Sequence, residues 1–177
     1  MNNKISKTDE KYLVQIRAAV KALIAKAAAL YDSSTLCVLD IAPDEHGGAA
    51  EFFKKAEVKT LNIDVMRQAD YHLDITKPNH NFLYPDYFGV IVCTEVLEHT
   101  SDPFAAVREM YRILKPGGKL ILSTPLNFRI HGPLPDNWRF TEHGLRQLLR
   151  DFDNIEISAV ESDRFLFPVH YTIIATK

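Results

Sequence analysis

The hydrophobic pattern of the chain begins with a helix. Apolar side chains recur at helical spacing over residues 8–31, and lysines occupy many of the opposite positions. Ser6 and Asp9 stand at the spacing of a capping box, which predicts that the helix begins near Lys7. Because acids and alanines interrupt its basic face, we expect this N-terminal segment, residues 1–33, to pack on a sheet rather than lie on a membrane.

Short apolar runs without alternation follow the helix, as expected of strands buried on both faces of a parallel sheet. The predicted strands cover residues 36–39, 58–63, 71–73, 89–93 and 119–123. An antiparallel pair at residues 155–160 and 171–176 ends the chain.

Helical stretches separate these strands. A short helix is predicted over residues 49–55. A second helix begins after Asp102 as its N-cap, and a turn at residues 115–118 ends it. A third helix, capped by Thr141, runs to about Asp151. Strands that alternate with helices predict an α/β domain with a mostly parallel sheet flanked on both faces.

Composition narrows the classes of partner. The chain has 177 residues and a formal net charge of −2, which fits one domain without a basic surface for nucleic acid. No apolar run approaches the roughly 20 residues that cross a bilayer, and the first residues lack the apolar stretch of a signal peptide. Cys37 and Cys93 lie in apolar runs, so we expect buried thiols, no disulfide and a cytoplasmic location.

The residues that directly follow the predicted strands are rich in acids and poor in lysine and arginine. In an open α/β sheet, ligands bind beyond the carboxyl ends of the strands, near the point where the strand order reverses. A phosphate-bearing nucleotide favours cations and helix N-termini at that place. The acids therefore indicate a cationic or hydroxyl-rich ligand instead.

Five segments along the chain carry a family resemblance. They read VLDIAPDEHGG, TLNID, DYHLDIT, VIVCTEVLEHTSDP and YRILKPGGKLILSTP, and HGPLPDNWRFTEHGLRQLL follows them. In order and spacing, over about residues 35–175, the chain resembles class I S-adenosylmethionine-dependent methyltransferases. The resemblance implies one domain, residues 1–177, with a Rossmann-like sheet of seven strands, an antiparallel C-terminal strand and a three-layer α/β/α arrangement. It also implies S-adenosyl-L-methionine as the cofactor.

The resemblance further implies which residues meet that cofactor. Asp40 matches the acid that orients the amino group of the methionine moiety. Asp74 matches the acid that accepts from the adenine amino group, with Ile75 beside it. Glu95 matches a residue that lines the methionine and methyl side.

Two places in the implied cofactor site leave alternatives. The family's glycine-rich loop corresponds to a segment that includes Ala42 and Gly47, but Ala42 and Asp44 stand where that family has glycines. The ribose hydroxyls are expected to meet either Asn62, which falls at the matching position, or Asp64, which is the acid.

The long connection over residues 124–140 is expected to form the acceptor side of the site. An oxygen or nitrogen acceptor can require removal of a proton, and His99, His131 and Asp136 are the candidate groups. Each of them has a structural alternative, such as a hydrogen bond that only holds the loop. The histidines and acids show no spacing typical of a zinc or iron site, so no metal is expected.

Two other functions compete with methyl transfer. A methyltransferase-like binding or scaffold protein without activity would account for the altered glycine loop. A nicotinamide-dependent oxidoreductase would need Gly-x-Gly-x-x-Gly directly after the first strand, which this chain lacks. The predicted function is methyl transfer from S-adenosyl-L-methionine to a small-molecule or saccharide acceptor, with the oligomeric state left open.

Overall fold

A computed structural model describes residues 5–43 and 48–177 of the chain. Within these ranges the α-helices are α1 (Lys7–Tyr31), α2 (Pro103–Ile113) and α3 (Glu142–Leu148), and single 3-10 turns occur at Ala49–Glu51 and Leu97–His99. The strands are β1 (Cys37–Ile41), β2 (Glu57–Asn62), β3 (Tyr71–His72), β4 (Phe88–Thr94), β5 (Leu114–Pro125), β6 (Asp153–Val160) and β7 (His170–Thr176).

These strands form one sheet in the order β3-β2-β1-β4-β5-β7-β6. β1 pairs in parallel with β2 and β4, and β4 pairs in parallel with β5. β7 runs antiparallel to both β5 and β6. The arrangement confirms the predicted Rossmann-like sheet. Its strand order reverses between β1 and β4, and in open α/β sheets a ligand binds at that point, beyond the carboxyl ends of the strands.

Apolar side chains cover both faces of this sheet. On one face, Leu23 of α1 packs with Val38 and Val90 of the central strands. On the other face, Met110 of α2 and Leu145 of α3 lie fully buried in a second cluster. Each such side chain contributes about 1.5–3 kcal/mol to stability through burial. The two layers of helices therefore hold the central strands in place below the point where the strand order reverses.

The helix starts agree with the sequence predictions. Ser6, Asp102 and Thr141 each accept a hydrogen bond from the backbone N–H three residues further along the chain. Such caps contribute about 1 kcal/mol each because they satisfy donors that the first turn leaves unpaired.

The helix predicted over residues 49–55 is wrong beyond its first turn, which spans Ala49–Glu51. The backbone N–H groups of Lys54 and Ala56 donate to the carboxylate of Asp32, each at 2.9 Å. These bonds across the fold satisfy donors that a continued helix would use, and the chain turns toward β2 instead.

The turn predicted at residues 115–118 lies inside β5, which corrects that prediction. The N–H of Gly117 donates to the carbonyl of Lys177 at 2.7 Å, and the N–H of Lys177 donates to Gly118 at 3.0 Å. Pairing with the end of the chain therefore extends the strand across the glycines, with Gly117 at a φ of 77°. α3 also ends at Leu148, earlier than predicted.

Within residues 5–43 and 48–177, no helix is both long and apolar enough to span a membrane. Cys37 and Cys93 are free thiols; Cys93 is fully buried as predicted, whereas Cys37 is only half-buried, which corrects the prediction for that residue. Burial raises the pKa of the Cys93 thiol, which keeps it protonated and unreactive.

Candidate active site

Asp40 is the next-to-last residue of β1, at the point where the strand order reverses, and is only 2% exposed. Its Oδ2 accepts a hydrogen bond from the N–H of Ala49 at 2.5 Å. Burial raises the pKa of Asp40 to about 7, and the Ala49 bond offsets only part of that effect. The carboxyl group keeps further acceptor capacity, which suits a cationic ligand group.

Gly48 allows the backbone to close over this carboxyl group. A Cβ atom at Gly48 would collide with the carboxylate of Asp40 and with Pro43. A side chain there would push the loop away from Asp40, so the position requires glycine. Gly47, which the sequence predicted as a cofactor contact, and Asp44 lie outside the described residues.

Ala42 has a φ of 52°, a left-handed conformation that glycine adopts more readily. Its N–H donates to the carbonyl of Leu61 at 2.7 Å, which fixes the turn after β1. The backbone at this position therefore takes the conformation that glycine favours, although the residue is alanine. The family that the sequence resembles has a glycine at this place.

Replacement of Ala42 by glycine is expected to raise the free energy of unfolding by up to about 1 kcal/mol, because it relieves the left-handed strain. Urea denaturation measures the change. The control is Ala22→Gly in the exposed face of α1, which should lower stability by about 1 kcal/mol. A loss of stability in Ala42→Gly would contradict the strain.

The two candidate ribose contacts occupy different surroundings. Asn62 is half-buried at the end of β2, and its Oδ1 accepts from the N–H of Asp64 at 2.9 Å. Asp64 is exposed in the following turn, where its Oδ1 accepts from the N–H of Met66 at 2.9 Å. A contact from Asn62 would thus come from the sheet and one from Asp64 from a turn.

Asp74 follows β3 and is half-buried. Its Oδ1 accepts from both the N–H and the hydroxyl of Thr76, at 2.8 and 2.7 Å. Both of these bonds use Oδ1, so Oδ2 is the oxygen that a ligand would meet. Ile75 is 5% exposed and belongs to the apolar core beside it.

Glu95 follows β4 with a φ of 57°, so its backbone is also in the left-handed region. Its Oε1 accepts from the hydroxyl of Ser123 at 2.9 Å and contacts Nε2 of His170 at 2.5 Å. Burial raises the pKa of Glu95, but His170 and Ser123 outweigh it and hold the pKa below its usual value. The carboxylate is therefore ionised and fixed in position.

Sequence reasoning missed His170, a fully buried residue at the start of β7. No spacing in the sequence points to it, because it lies far along the chain from Glu95. The antiparallel pairing of β5 with β7 places His170 opposite Pro125 and thereby beside the end of β4.

A second group of side chains lies beside the connection over residues 124–140 and consists of Glu98, His99 and His131; we call it the Glu98 cluster. Nε2 of His99 and Nε2 of His131 lie 4.0 and 3.8 Å from Oε1 of Glu98. The two rings are 4.9 Å apart between centroids. Glu98 is fully buried, and neither of its carboxylate oxygens has a hydrogen-bond partner among the described residues. Burial, followed by the charge of Glu95, raises the pKa of Glu98 well above its usual value.

Each imidazole of the cluster has a polar group near its Nδ1 atom, but only His99 forms a hydrogen bond there. Nδ1 of His99 lies 3.0 Å from the carbonyl of Pro135, and because a carbonyl only accepts, Nδ1 carries the proton. Nδ1 of His131 lies 3.1 Å from Oδ2 of Asp136 without a hydrogen bond, and that oxygen accepts instead from the backbone N–H of His131 at 2.9 Å. Burial lowers the pKa of His131, although the nearby Asp136 partly opposes this.

Asp136 is itself held by Arg139 through two contacts, at 2.5 and 2.8 Å. The Arg139 guanidinium holds the pKa of Asp136 well below its usual range. Asp136 therefore stays ionised, which suits it to hold the backbone of His131 rather than to take a proton itself.

The segment that carries His131 is tied to Glu98 through its backbone. The N–H groups of Asn137 and Trp138 donate to the carbonyl of Glu98, at 2.7 and 3.1 Å, and the indole of Trp138 donates to Thr100 at 2.8 Å. Sequence reasoning named His99 and His131 but not Glu98, although Glu98 precedes His99 directly.

Several solved structures share this fold. An S-adenosylmethionine-dependent methyltransferase from Archaeoglobus fulgidus superposes with a TM-score of 0.70, at 17% identity over 96% of this chain and 98% of that one. One from Aquifex aeolicus gives a TM-score of 0.60, at 15% identity over 98% and 99%. A [4+2]-cyclase gives 0.66, at 15% identity over 91% and 81%. At these identities the likeness establishes the fold alone.

Relatives with higher identity match over short stretches. A ubiquinone biosynthesis O-methyltransferase from Xanthomonas euvesicatoria is 40% identical over 76 residues, which are 43% of this chain and 30% of that protein. One from Pseudomonas putida is 50% identical over 40 residues, 23% of this chain and 17% of that protein. The matched stretch thus spans less than a third of either relative.

The family match extends over most of the chain. The family described as a methyltransferase domain matches residues 12–161, which include six of the seven strands, all but β7. Family and fold together support the predicted cofactor, S-adenosyl-L-methionine. The chain belongs to the methyltransferase domain family.

Proposed function

We propose that this chain binds S-adenosyl-L-methionine and transfers its methyl group to an oxygen of a small-molecule acceptor, with saccharides among the candidates. The observation that carries the proposal is a row of side chains that can accept hydrogen bonds at the carboxyl ends of the strands: Asp40, Asn62, Asp74 and Glu95. The cofactor offers an ammonium, two ribose hydroxyls and an adenine amino group, all of which donate hydrogen bonds. Carboxylate and amide oxygens are their natural partners.

Each of these residues receives one role in the proposal. Asp40 accepts from the ammonium beneath the Gly48 backbone, and Asn62 meets the ribose from the end of β2. Asp74 accepts from the adenine amino group through Oδ2. Glu95, held ionised by His170, lines the methyl side.

The transfer itself is an in-line displacement. The acceptor oxygen forms a bond to the methyl carbon as the bond from that carbon to sulfur breaks, which leaves S-adenosylhomocysteine. The enzyme mainly positions the two reactants and excludes water. The hydroxyl proton of the acceptor passes to Nε2 of His131, which burial favours in its neutral form.

An oxygen acceptor is proposed on two grounds. The relatives that match over short stretches are O-methyltransferases, and the Glu98 cluster offers proton-accepting groups on the acceptor side. The competing function is a binding or scaffold protein, which the alanine at position 42 favours.

Calorimetric titration of the purified chain with S-adenosyl-L-methionine and S-adenosylhomocysteine separates these functions. We expect saturable binding of one cofactor per chain. Absence of binding up to millimolar concentration would reject the proposal and support the scaffold function.

Asp74→Ala is expected to weaken cofactor binding about 10- to 100-fold, since a hydrogen bond to a charged group contributes about 1.5–3 kcal/mol. The matched control is Thr76→Val, which removes a turn hydrogen bond to Asp74 but keeps its carboxylate. Calorimetry with S-adenosylhomocysteine measures both variants. Unchanged affinity in Asp74→Ala would remove this residue from the site.

A further inference from the structure

The Glu98 cluster has a feature that the proposed proton transfer does not use. Glu98 is 0% exposed, and neither carboxylate oxygen has a partner among the described residues. Buried carboxylates in folded proteins are paired or hydrogen-bonded with few exceptions, and each exception calls for a physical cause. A cation at this place would supply the missing partner.

We propose that Glu98, His99 and His131 form a binding site for one divalent transition-metal ion. One ligand atom from each residue lies within 4.8 Å of the others, with Oε1 of Glu98 as the shared neighbour of both Nε2 atoms. Ligands bound about 2.1 Å from an ion lie about 3–3.5 Å apart, so side-chain shifts of about an ångström complete the site.

The group behind His99 matches that of a metal-bound histidine. A ligating imidazole usually donates its second N–H to a carbonyl or a carboxylate, which fixes the tautomer and aims the ligating nitrogen. His99 has the Pro135 carbonyl at 3.0 Å from Nδ1, so its Nε2 carries a lone pair. Nδ1 of His131 lies 3.1 Å from the Asp136 carboxylate without a hydrogen bond, so a rotation of this ring would have to complete the second arrangement.

The donor set indicates the kind of ion. Two imidazole nitrogens and one carboxylate suit Zn²⁺, Fe²⁺, Mn²⁺ or Co²⁺, whereas Mg²⁺ and Ca²⁺ prefer oxygen ligands alone. The side chains of His99 and His131 are 13% and 17% exposed, so solvent and ligands can reach the site. Three protein ligands leave at least one coordination position open.

The open position gives the site a role that rests on the proposed function. The site lies where the connection that carries His131 meets Glu98, three residues after Glu95. A hydroxyl oxygen of the acceptor that coordinated the ion would release its proton to solvent water more readily. The ion would thus take over the activation of the acceptor from His131, whose Nε2 would then be a ligand and could not accept the proton.

The test begins with the unsubstituted chain after chelation and dialysis. Titration with Zn²⁺ by calorimetry and with Co²⁺ by visible absorption should give one ion per chain at micromolar affinity or tighter. Nitrogen-15 spectra of the imidazoles during the Zn²⁺ titration should shift at His99 and His131, which requires no substitution. Binding weaker than 100 μM, or shifts confined to other histidines, would overturn the site.

Variants then assign the ligands. Glu98→Gln and His131→Ala should each weaken Zn²⁺ binding at least about 100-fold, because loss of a direct ligand should cost no less than loss of an outer partner. The matched control is His143→Ala, an exposed histidine of α3 that should bind Zn²⁺ as the unsubstituted chain does. Parental affinity in a folded Glu98→Gln variant would reject the proposal.

The same samples are titrated with S-adenosylhomocysteine, which separates this inference from the proposed function. Cofactor binding without metal binding would overturn the metal site alone. Metal binding without cofactor binding would overturn the proposed methyl transfer and leave the ion site standing.

Discussion

Asp40→Asn is expected to stabilise the ligand-free protein above pH 7 and to remove most of its affinity for S-adenosyl-L-methionine. The carboxyl group is 2% exposed, and burial raises its pKa from 3.8 to about 7. Folding therefore becomes less favourable as the pH rises from 3.8 to about 7, because the unfolded chain ionises first. At about 1.4 kcal/mol per pH unit, the loss reaches about 4 kcal/mol above pH 7.

Asparagine has nearly the same shape and no charge to bury. Its side-chain carbonyl can accept from Ala49, while its amide group lacks a known partner and costs about 1–3 kcal/mol. The net effect is a gain of about 1–3 kcal/mol at pH 8 and a loss of about 1–3 kcal/mol toward pH 4, where only the cost of the amide group remains. Urea denaturation at several pH values measures it. A difference between variant and parent that does not change with pH would contradict the raised pKa.

Ionisation of Asp40, which lowers the stability of the ligand-free protein as the pH rises, should raise its affinity for the cofactor. A bound ammonium favours the ionised form of Asp40, so affinity should rise on the order of tenfold between pH 5.5 and 7. In Asp40→Asn the affinity should be lower by at least about tenfold and independent of pH over this range. A pH dependence that survives in the variant would place the titrating group elsewhere.

Much of this site could be predicted from the sequence, because its acids follow local signals. Asp40 and Glu95 come directly after apolar runs, and parallel strands bring their carboxyl ends to one edge of the sheet. An apolar run buried on both faces, such as β4, is typical of a central strand in a parallel sheet. The alternation of strands with helices then predicts that the strands run parallel, so that their carboxyl ends meet at one edge.

The parts that could not be predicted depend on contacts between distant segments. His170 reaches Glu95 only through the pairing of β7 with β5. The glycines at 117 and 118 indicated a turn, but pairing with Lys177 extended the strand instead. The Glu98 cluster likewise has no characteristic spacing in the sequence, since His131 comes from the connection over residues 124–140 and meets Glu98 only in the folded chain.

His170→Ala is expected to lower the free energy of unfolding by about 2–4 kcal/mol, because it leaves a cavity at a fully buried position and removes the partner of the half-buried Glu95 carboxylate. The remaining hydrogen bond from Ser123 accounts for only about 1 kcal/mol, so Ser123→Ala serves as the milder comparison. Urea denaturation at pH 7 ranks the two variants. Equal small losses would show that His170 does not stabilise the ionised Glu95.

A double-mutant cycle separates the pair from the cavity that the alanine leaves. Glu95→Gln removes the charge, so His170→Ala should cost less in that background, by about 1–3 kcal/mol. Cofactor affinity gives a second readout, since Glu95 holds a left-handed backbone and is proposed to line the methyl side. Loss of His170 should weaken S-adenosylhomocysteine binding in the parent background and have little effect once Glu95 is glutamine. Additive losses of stability in the cycle would mean that the contact between Nε2 and Oε1 does not couple the two residues, and that Ser123 and the backbone hold Glu95 in place.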